Sequence, residues 1–159
     1  MASNYFLKID GIPGESLDAK HKDEIEVLSW SWGETQQASA SPGGGAGTGK
    51  VAMTDLHVSA NLSRASPQLL LACASGQHIK SAVLTGRKAG KAQAEFLSFS
   101  LSDVLVSGYQ TSGSAVEAPL DSISLNFSKI EVSYKQSKAD GSLAKAIRVG
   151  WDVKANKAF

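Results

Sequence analysis

The sequence predicts a mainly β fold: a β-barrel or two-sheet sandwich of about seven to eight strands, with one α-helix packed alongside. Two observations predict it. Apolar residues alternate with serine, lysine and aspartate over most of the chain, which is the period of strands with one buried face. One segment, from Ser66 to Ser75, carries a helix start and stop instead. With 159 residues, 42% of them hydrophobic, the chain forms a single domain, residues 1–159, with its own core.

The alternation places the strands in order along the chain. The clearest segments are 54–63, 95–102, 121–128 and 147–154, and the weaker ones are 5–9, 24–32 and 79–87. The apolar phase slips by one residue after Val27, after Leu101 and after Phe127. A slip of one residue sends every later side chain to the other face of the sheet. Each slip therefore predicts a β-bulge or a strand that crosses from one sheet to the other.

The helix prediction rests on its ends. Ser66 suits the N-cap, Pro67 the first helical position and Gly76 the C-terminal stop. Between them we expect an apolar face of Leu69, Leu70, Leu71 and Cys73. Across the whole chain, the residues predicted to form the structural core are Trp30, Trp32, Leu70, Cys73, Phe99, Phe127 and Trp151.

Three segments are predicted to lie between strands. Residues 38–49 are rich in glycine, alanine and serine, and such a composition predicts a mobile loop. Residues 107–114 predict a second, shorter loop. Residues 138–142 predict a turn, because Asp140-Gly141 is a common hairpin pair.

Composition excludes several classes of protein. Sixteen Lys and Arg residues against fifteen Asp and Glu leave a net charge of +1, so no global field attracts nucleic acid or an anionic membrane. A single cysteine excludes an intramolecular disulfide. The N-terminus lacks the features of a signal peptide, and no apolar run approaches the length of a membrane span. We expect synthesis in the cytoplasm, no membrane insertion and no nucleic-acid partner.

The candidate chemical motifs are weak. Gly44–Lys50 has the spacing of a phosphate-binding loop, but Val51 replaces the required Ser or Thr, and a strand is expected after it instead of a helix. The histidines at 21, 57 and 78 are not spaced as metal ligands, and no serine lies in a nucleophile elbow. We therefore predict no catalytic residue, no cofactor and no metal; a nucleotide-using enzyme built on the glycine-rich loop stays as an alternative.

The segment around Trp30 and Trp32 is more informative. Two tryptophans two residues apart on a strand point to one face, which we expect to be the core. Ser29 and Ser31 then occupy the other face. Serines recur on the polar faces of other strands, at 98, 100, 102, 122 and 124. Such faces are typical of a smooth hydrated surface, or of one that packs closely against another copy.

The order of features resembles a known family. An N-terminal strand with Lys8-Ile-Asp-Gly-Ile-Pro-Gly-Glu15 is followed by Ile25-Glu-Val-Leu-Ser-Trp-Ser-Trp-Gly33 and a glycine-rich loop. The helix Ala65-Ser-Pro-Gln-Leu-Leu-Leu-Ala-Cys-Ala-Ser-Gly76 comes next. Later segments are Phe99-Ser-Leu-Ser-Asp-Val-Leu-Val-Ser-Gly-Tyr109, Leu125-Asn-Phe-Ser-Lys-Ile-Glu-Val-Ser-Tyr134 and Val149-Gly-Trp-Asp152. Over essentially the whole chain, this order resembles the haemolysin-coregulated protein (Hcp) family, the tube proteins of bacterial type VI secretion.

The resemblance implies a structural role without catalysis. Six copies would form a ring, and rings would stack into a tube that a contractile sheath drives outward behind a spike or tip protein. The protein would be secreted on firing without a signal peptide, and its channel would carry and chaperone small effectors.

On this interpretation Ser29 and Ser31 are candidates for lining the channel. A further hypothesis assigns ring-to-ring contact to the loop residues Pro42, Gly43, Gly44, Gly45, Gly47 and Gly49. The alternative function is a small-ligand-binding β-sandwich that uses the 107–114 loop.

Overall fold

The computed structural model describes residues 2–39, 47–90 and 93–159. The strands are β1 (Ser3–Ile9), β2 (Ile25–Ser31), β3 (Glu34–Thr35), β4 (Ala38–Ser39), β5 (Gly47–Thr48), β6 (Ala52–Met53), β7 (Leu56–Asn61), β8 (His78–Lys88), β9 (Glu95–Ser112), β10 (Leu120–Asn126), β11 (Lys129–Tyr134), β12 (Ile147–Asp152) and β13 (Lys157–Ala158). The helix α1 (Ala65–Ser75) lies between β7 and β8. The prediction of a mainly β fold with one helix is confirmed.

Six strands close into an antiparallel barrel. The order β10-β7-β2-β1-β8-β9 returns to β10 through an additional pairing between β9 and β10. Strands β11, β12 and β13 continue from β9 outside this closed circuit. We call these three strands the arm. Because closure pairs the six barrel strands with one another, their described residues keep an unpaired edge where a strand extends beyond its neighbour.

The barrel is flattened into two sheets that share β2 and β9. The first sheet runs from the start of β2 through β1, β8 and the first half of β9 to the arm. The second sheet has four strands: the end of β2, β7, β10 and the second half of β9. Long bent strands that serve both sheets are typical of such barrels.

The three phase slips mark the places where strands change sheets. The β2–β7 register shifts between Val27 and Ser29, which is the predicted bulge. In β9 the change falls at Asp103, whose φ is +53°. After Phe127 the chain leaves the barrel strand β10 and begins β11 of the arm. All three slips therefore coincide with a bulge or a crossing, as predicted.

The helix packs through fewer leucines than its sequence indicates. Leu69 and Ala72 are buried, whereas Leu70 is 57% exposed and Leu71 is 63% exposed. The prediction that Leu70 belongs to the core is wrong. Residues 65, 69 and 72 lie on one face at helical spacing, and each further residue rotates the side chain by about 100°. Leu70 and Leu71 consequently point to solvent.

The helix start also differs from the prediction. Its N-cap is Arg64, and Ser66 lies inside the first turn, so the assignment of Ser66 as N-cap is wrong. The Ser66 hydroxyl donates to Asp121 and accepts from the backbone N–H of Ser63 at 3.0 Å. The hydroxyl therefore ties the helix to β10. The stop at Gly76 is confirmed, since this residue adopts the left-handed conformation at φ +67°.

An aromatic cluster fills one end of the core. Phe99 and Phe127 are buried, while Trp30, Trp32, Trp151 and Cys73 are half-buried and pack against the core. The Phe99 ring centroid lies 5.1 Å from that of Trp30 and 6.2 Å from that of Trp32. Tilted rings at these separations attract one another beyond their burial. Both tryptophans therefore point away from Ser29 and Ser31.

Two of the predicted loops contain strand. The 107–114 prediction is wrong for most of its length, because β9 continues to Ser112 through pairing with β10. In the 38–49 segment, β4 pairs with β5, and β3 pairs with β6 nearer the barrel. We call these four short strands the ribbon. The 138–142 turn is confirmed: Gly141 has φ +87°, and the Lys138 N–H donates to the Ser142 carbonyl at 2.8 Å.

Candidate functional site: a polar sheet face with two unpaired edges

The outward face of the second sheet carries polar side chains, most of them serines, and one glycine. We call it the serine face, and its members are Ser29 and Ser31 on β2, His57 and Ser59 on β7, Ser122 and Ser124 on β10, and Gly108 and Gln110 on β9. The alternate residues of the same strands, such as Val58 and Ile123, are buried in the core. Strand alternation alone therefore presents this polar set to one side.

Strand register aligns the serine face in rows. Ser29 pairs with Ser59, and Ser59 pairs with Ser122. Directly opposed residues of an antiparallel pair point to the same face, so their small hydroxyl groups lie side by side. A parallel row two residues along is formed by Ser31, His57, Ser124 and Gly108.

Hydrogen bonds join some of the polar groups on and beside this face. His57 Nδ1 lies 2.9 Å from the Ser124 hydroxyl oxygen. At one edge of the face, Asp55 accepts from the Ser107 hydroxyl at 2.5 Å and from the Asn126 amide at 2.9 Å. Because the side chains of the face are hydroxyl, imidazole and amide groups, it offers a polar surface with little exposed apolar area.

Gly108 keeps β9 close to β10. A Cβ at this position would lie 3.3 Å from both the Cβ and the Oγ of Ser124. That separation is tighter than ordinary van der Waals contact. A larger residue would push against Ser124 in the second row. Glycine at position 108 therefore allows β9 and β10 to pair without displacing Ser124.

The second sheet has an unpaired edge on each side. On the β1 side, β2 pairs only as far as Val27, and Leu28–Ser31 has no strand neighbour there among the described residues. On the β8 side, β9 pairs only as far as Leu105, which likewise leaves 106–112 without a strand neighbour in the described part of the chain. Each edge presents backbone N–H and C=O groups to a potential partner strand.

The structure places Ser29 and Ser31 together, exposed, at one end of the serine face. Gly108 and Gln110 were missed by the sequence reasoning, because a Gly- and Ser-rich segment predicted a loop. Their alternation with Tyr109, which points inward to donate to Asp121 at 3.0 Å, is the signal that identifies the strand. Burial raises the pKa of Tyr109 above its usual range, and the hydrogen bond to Asp121 acts in the same direction.

The candidates in the glycine-rich segment are only partly described. Pro42, Gly43, Gly44 and Gly45 lie outside the described residues. Gly47 begins β5 and Gly49 follows that strand. The next element after Lys50 is β6, and the described chain forms no helix before Ala65. The strand–loop–helix arrangement that a phosphate site requires is therefore not formed after this loop.

A buried charged cluster, which the sequence reasoning missed, lies beneath the β1–β2 connection. The Arg87 guanidinium is almost fully buried and forms a two-pronged ion pair with Asp18. The hydrogen bond from Arg87 is the largest cause that lowers the pKa of Asp18 to about 2. The reciprocal bond raises the pKa of Arg87. His21 lies in the same cluster, stacked on Phe6 at 4.4 Å between ring centroids.

A second cluster joins the ends of several strands at Asp103. Its carboxylate accepts from the Ser128 hydroxyl at 2.6 Å, from Lys154 at 3.0 Å and from His78 at 3.2 Å. These donors, Ser128 first, hold the pKa of Asp103 well below its usual range. In the described chain no group of three or more His, Cys, Asp or Glu side chains is arranged to hold a metal ion. Both clusters consist of ion pairs and hydrogen bonds between side chains, and Nε of Arg87 is buried without a hydrogen-bond partner.

No described helix has the length and apolar character needed to cross a membrane. The fold and its polar face together define a small β-barrel whose exposed features are a hydrated sheet and unpaired strand edges.

Comparison with known proteins identifies the family. The family model described as "Type VI secretion system effector, Hcp" matches residues 6–134. The chain is 45% identical to Protein hcp1 of Pseudomonas aeruginosa, over 98% of each sequence. It therefore belongs to the Hcp family of type VI secretion proteins, and the resemblance noted in the sequence is confirmed.

Solved structures agree with this assignment. Hcp1 from Salmonella typhimurium covers the whole of both chains at 39% identity, with a TM-score of 0.80. A structure described as that of a type six secretion system protein gives a TM-score of 0.93 at 30% identity, over 99% of this chain and all of the other. The matched family is one of secretion proteins, and none of these matches names a catalytic activity.

Proposed function

We propose that this protein is the tube subunit of a type VI secretion system. Six copies form a ring, and rings stack into the inner tube that a contractile sheath expels behind its spike. The observation that carries the proposal is the serine face, bounded by unpaired edges of β2 and β9. A polar sheet that ends in two open edges is suited to continue from one copy to the next.

Strand directions permit this continuation. Successive strands β2, β7, β10 and β9 are antiparallel, so β9 runs opposite to β2. Rotation about a ring axis preserves strand direction along that axis. The β9 edge of one copy therefore meets the β2 edge of the next in an antiparallel arrangement, which forms regular hydrogen bonds.

The dimensions of such a wall are those of a protein-sized channel. Six copies of a four-stranded sheet contribute roughly 24 strands, and neighbouring strands lie about 4.8 Å apart. With strands along the tube axis, the circumference is roughly 115 Å and the backbone diameter roughly 37 Å. An opening of that width admits a small folded domain, whose radius of gyration is about 13 Å at 100 residues.

The lining would suit transport of varied cargo. A face of serines and glycine, with its histidine already bonded to Ser124, presents no deep apolar pocket and no concentrated charge. We infer that small effectors are held in the channel by shape and many weak contacts, and leave with the tube. On this proposal the protein is made in the cytoplasm, is itself secreted, and meets the sheath on its outer side and the spike at the tube end.

Native mass spectrometry of the purified protein, with negative-stain images of the same sample, tests the proposal. A mass of six subunits together with open rings is the expected result. A strict monomer at high concentration would overturn it, because the channel exists only in the assembled ring.

A further inference from the structure

The arm carries an exposed apolar surface that no described part of its own chain covers. Val149 is 68% exposed, Ile147 is 65% exposed and Tyr134 is 45% exposed. Tyr134 pairs with Ile147 and Val132 pairs with Val149, so all these side chains lie on one face of the arm. We call Tyr134, Ile147 and Val149 the arm patch.

The arm patch is a direct extension of the barrel core. Across the β9–β11 pairing, Val132 lies opposite Phe99 and Ile130 opposite Leu101. Phe99, Leu101 and Ile130 are buried. The same face of the sheet is therefore covered at Phe99, Leu101 and Ile130 and uncovered at the arm patch. A contiguous apolar surface of this kind marks a contact site.

A matching surface lies at the other side of the second sheet. Leu28 is 56% exposed on the unpaired edge of β2. It lines a surface groove together with Asp18, Glu26 and Arg87. The arm extends from β9, and one unpaired edge of the second sheet also belongs to β9. Leu28 lies on the other unpaired edge, that of β2. A ring contact between unlike surfaces requires one patch at each of two such edges.

The charges near the two surfaces are complementary. Residues 129–149, which hold β11, its connection to β12 and the arm patch, contain five basic and two acidic residues. Residues 10–26, which precede Leu28, contain six acidic residues and two lysines. Asp18 and Asp23 are paired with Arg87 and Arg64, so the surface keeps an excess of acidic groups. Opposite signs favour the contact between arm and β2 edge, and like signs oppose arm against arm.

We propose that the arm patch of one copy covers Leu28 at the β2 edge of the next copy. This inference rests on the proposed ring and names the surfaces that build it. The arm then covers the junction where β9 of one copy meets β2 of its neighbour. Val149 and Leu28 are the apolar centre of the contact, and the charged segments surround it.

A charge exchange tests the pairing. We expect Val149→Glu and Leu28→Lys each to convert rings to monomers. Each substitution places a charge in an apolar contact, where it faces charges of the same sign on the neighbouring copy. We expect the double variant to form rings again, since the new glutamate and lysine meet across the junction. An equimolar mixture of the two single variants should also form rings, with the variants alternating. Native mass spectrometry gives the number of subunits per assembly in each of these four samples.

The control is Val116→Glu, which adds the same charge at a valine that is 90% exposed and far from β12 in sequence; it should keep the wild-type ring. Each variant is checked by circular dichroism and thermal melting. If Val149→Glu does not fold, Ile147→Glu replaces it. Rings that persist in both single variants, or a double variant that stays monomeric, would overturn the pairing. A wild-type monomer would instead refute the ring itself.

Discussion

The ring of His21 lies between two carboxylates: its Nε2 atom is 2.9 Å from Oε1 of Glu95, and its Nδ1 atom is 2.9 Å from Oε2 of Glu24. A neutral imidazole has one N–H and one lone pair, so it can donate to only one carboxylate. Stacked on Phe6 and buried, His21 joins the β1–β2 connection to the start of β9.

His21→Gln is expected to lower the free energy of unfolding by about 1–3 kcal/mol, because it removes the imidazole that lies between two carboxylates and its stacking on Phe6. Chemical denaturation at neutral pH measures the change. His78→Gln is the matched control, since His78 is 77% exposed in its ion pair with Asp103, and exposed pairs contribute about 0–1 kcal/mol. Equal losses in both variants would contradict the role given to His21.

Acid is expected to destabilise the fold partly through Asp18. Its pKa is lowered to about 2 by Arg87, whereas an unfolded aspartate titrates near 3.9. Because the folded state binds the proton less readily, the stabilisation from this pair is complete above about pH 4 and is lost as the pH falls through about 2. Asp18→Asn should melt at a lower temperature than the wild type at pH 6.

The difference between wild type and Asp18→Asn should shrink steadily from pH 4 to pH 2. Differential scanning calorimetry across this range gives the comparison. The remaining acid sensitivity of the variant should come from Asp103 and Asp140, whose pKa values are also lowered by hydrogen bonds. A constant difference in melting temperature over the whole range would show that Asp18 does not titrate as proposed.

Ser31→Gln should change the retention of effectors while leaving the ring intact. The longer side chain projects from the serine face, where Ser31 is exposed opposite half-buried Trp30 and Trp32. The amount of effector that copurifies with rings is the measurement. Ser102→Gln is the control, because Ser102 pairs with Lys129 in the first sheet. Unchanged effector binding in intact Ser31→Gln rings would count against the channel assignment.

Deletion of Gly43–Gly47 is expected to weaken ring stacking and to spare the ring. The ribbon pairs by only two residues at each of its two steps, and an isolated two-stranded ribbon is marginally stable by itself. Contact with a neighbouring ring would supply its missing support. Electron microscopy measures the length of the tubes, and native mass spectrometry shows whether the ring persists. Loss of rings, or tubes of unchanged length, would argue against this assignment.

Much of the fold could be predicted because its signals are local. The alternation that placed Ser29 and Ser31 opposite Trp30 depends only on the two-residue period of a strand. The slips after Val27, Leu101 and Phe127 mark changes of sheet for the same reason. The stop at Gly76 reflects a conformation that glycine adopts at no steric cost.

Other features depended on residues far apart in the chain. The 107–114 segment has loop composition, but hydrogen bonds to β10 extend it as strand to Ser112. Leu69 and Leu70 are chemically identical, and only the position of the helix against β9 decides that Leu69 is buried. Asp18 and Arg87 are 69 residues apart, and the pairing of β1 with β8 brings them within reach of each other.

The sequence by itself determined the class of fold, the polar strand faces and the family. The two-residue alternation of strands and the order of motifs are both properties of the linear chain. Tertiary structure alone decided that four polar strand segments form one continuous face with two open edges. It also decided that the arm leaves the barrel with Ile147 and Val149 exposed. Both outcomes follow from barrel closure, which pairs strands that are distant in sequence. Strand segments that extend beyond the closed barrel are left unpaired.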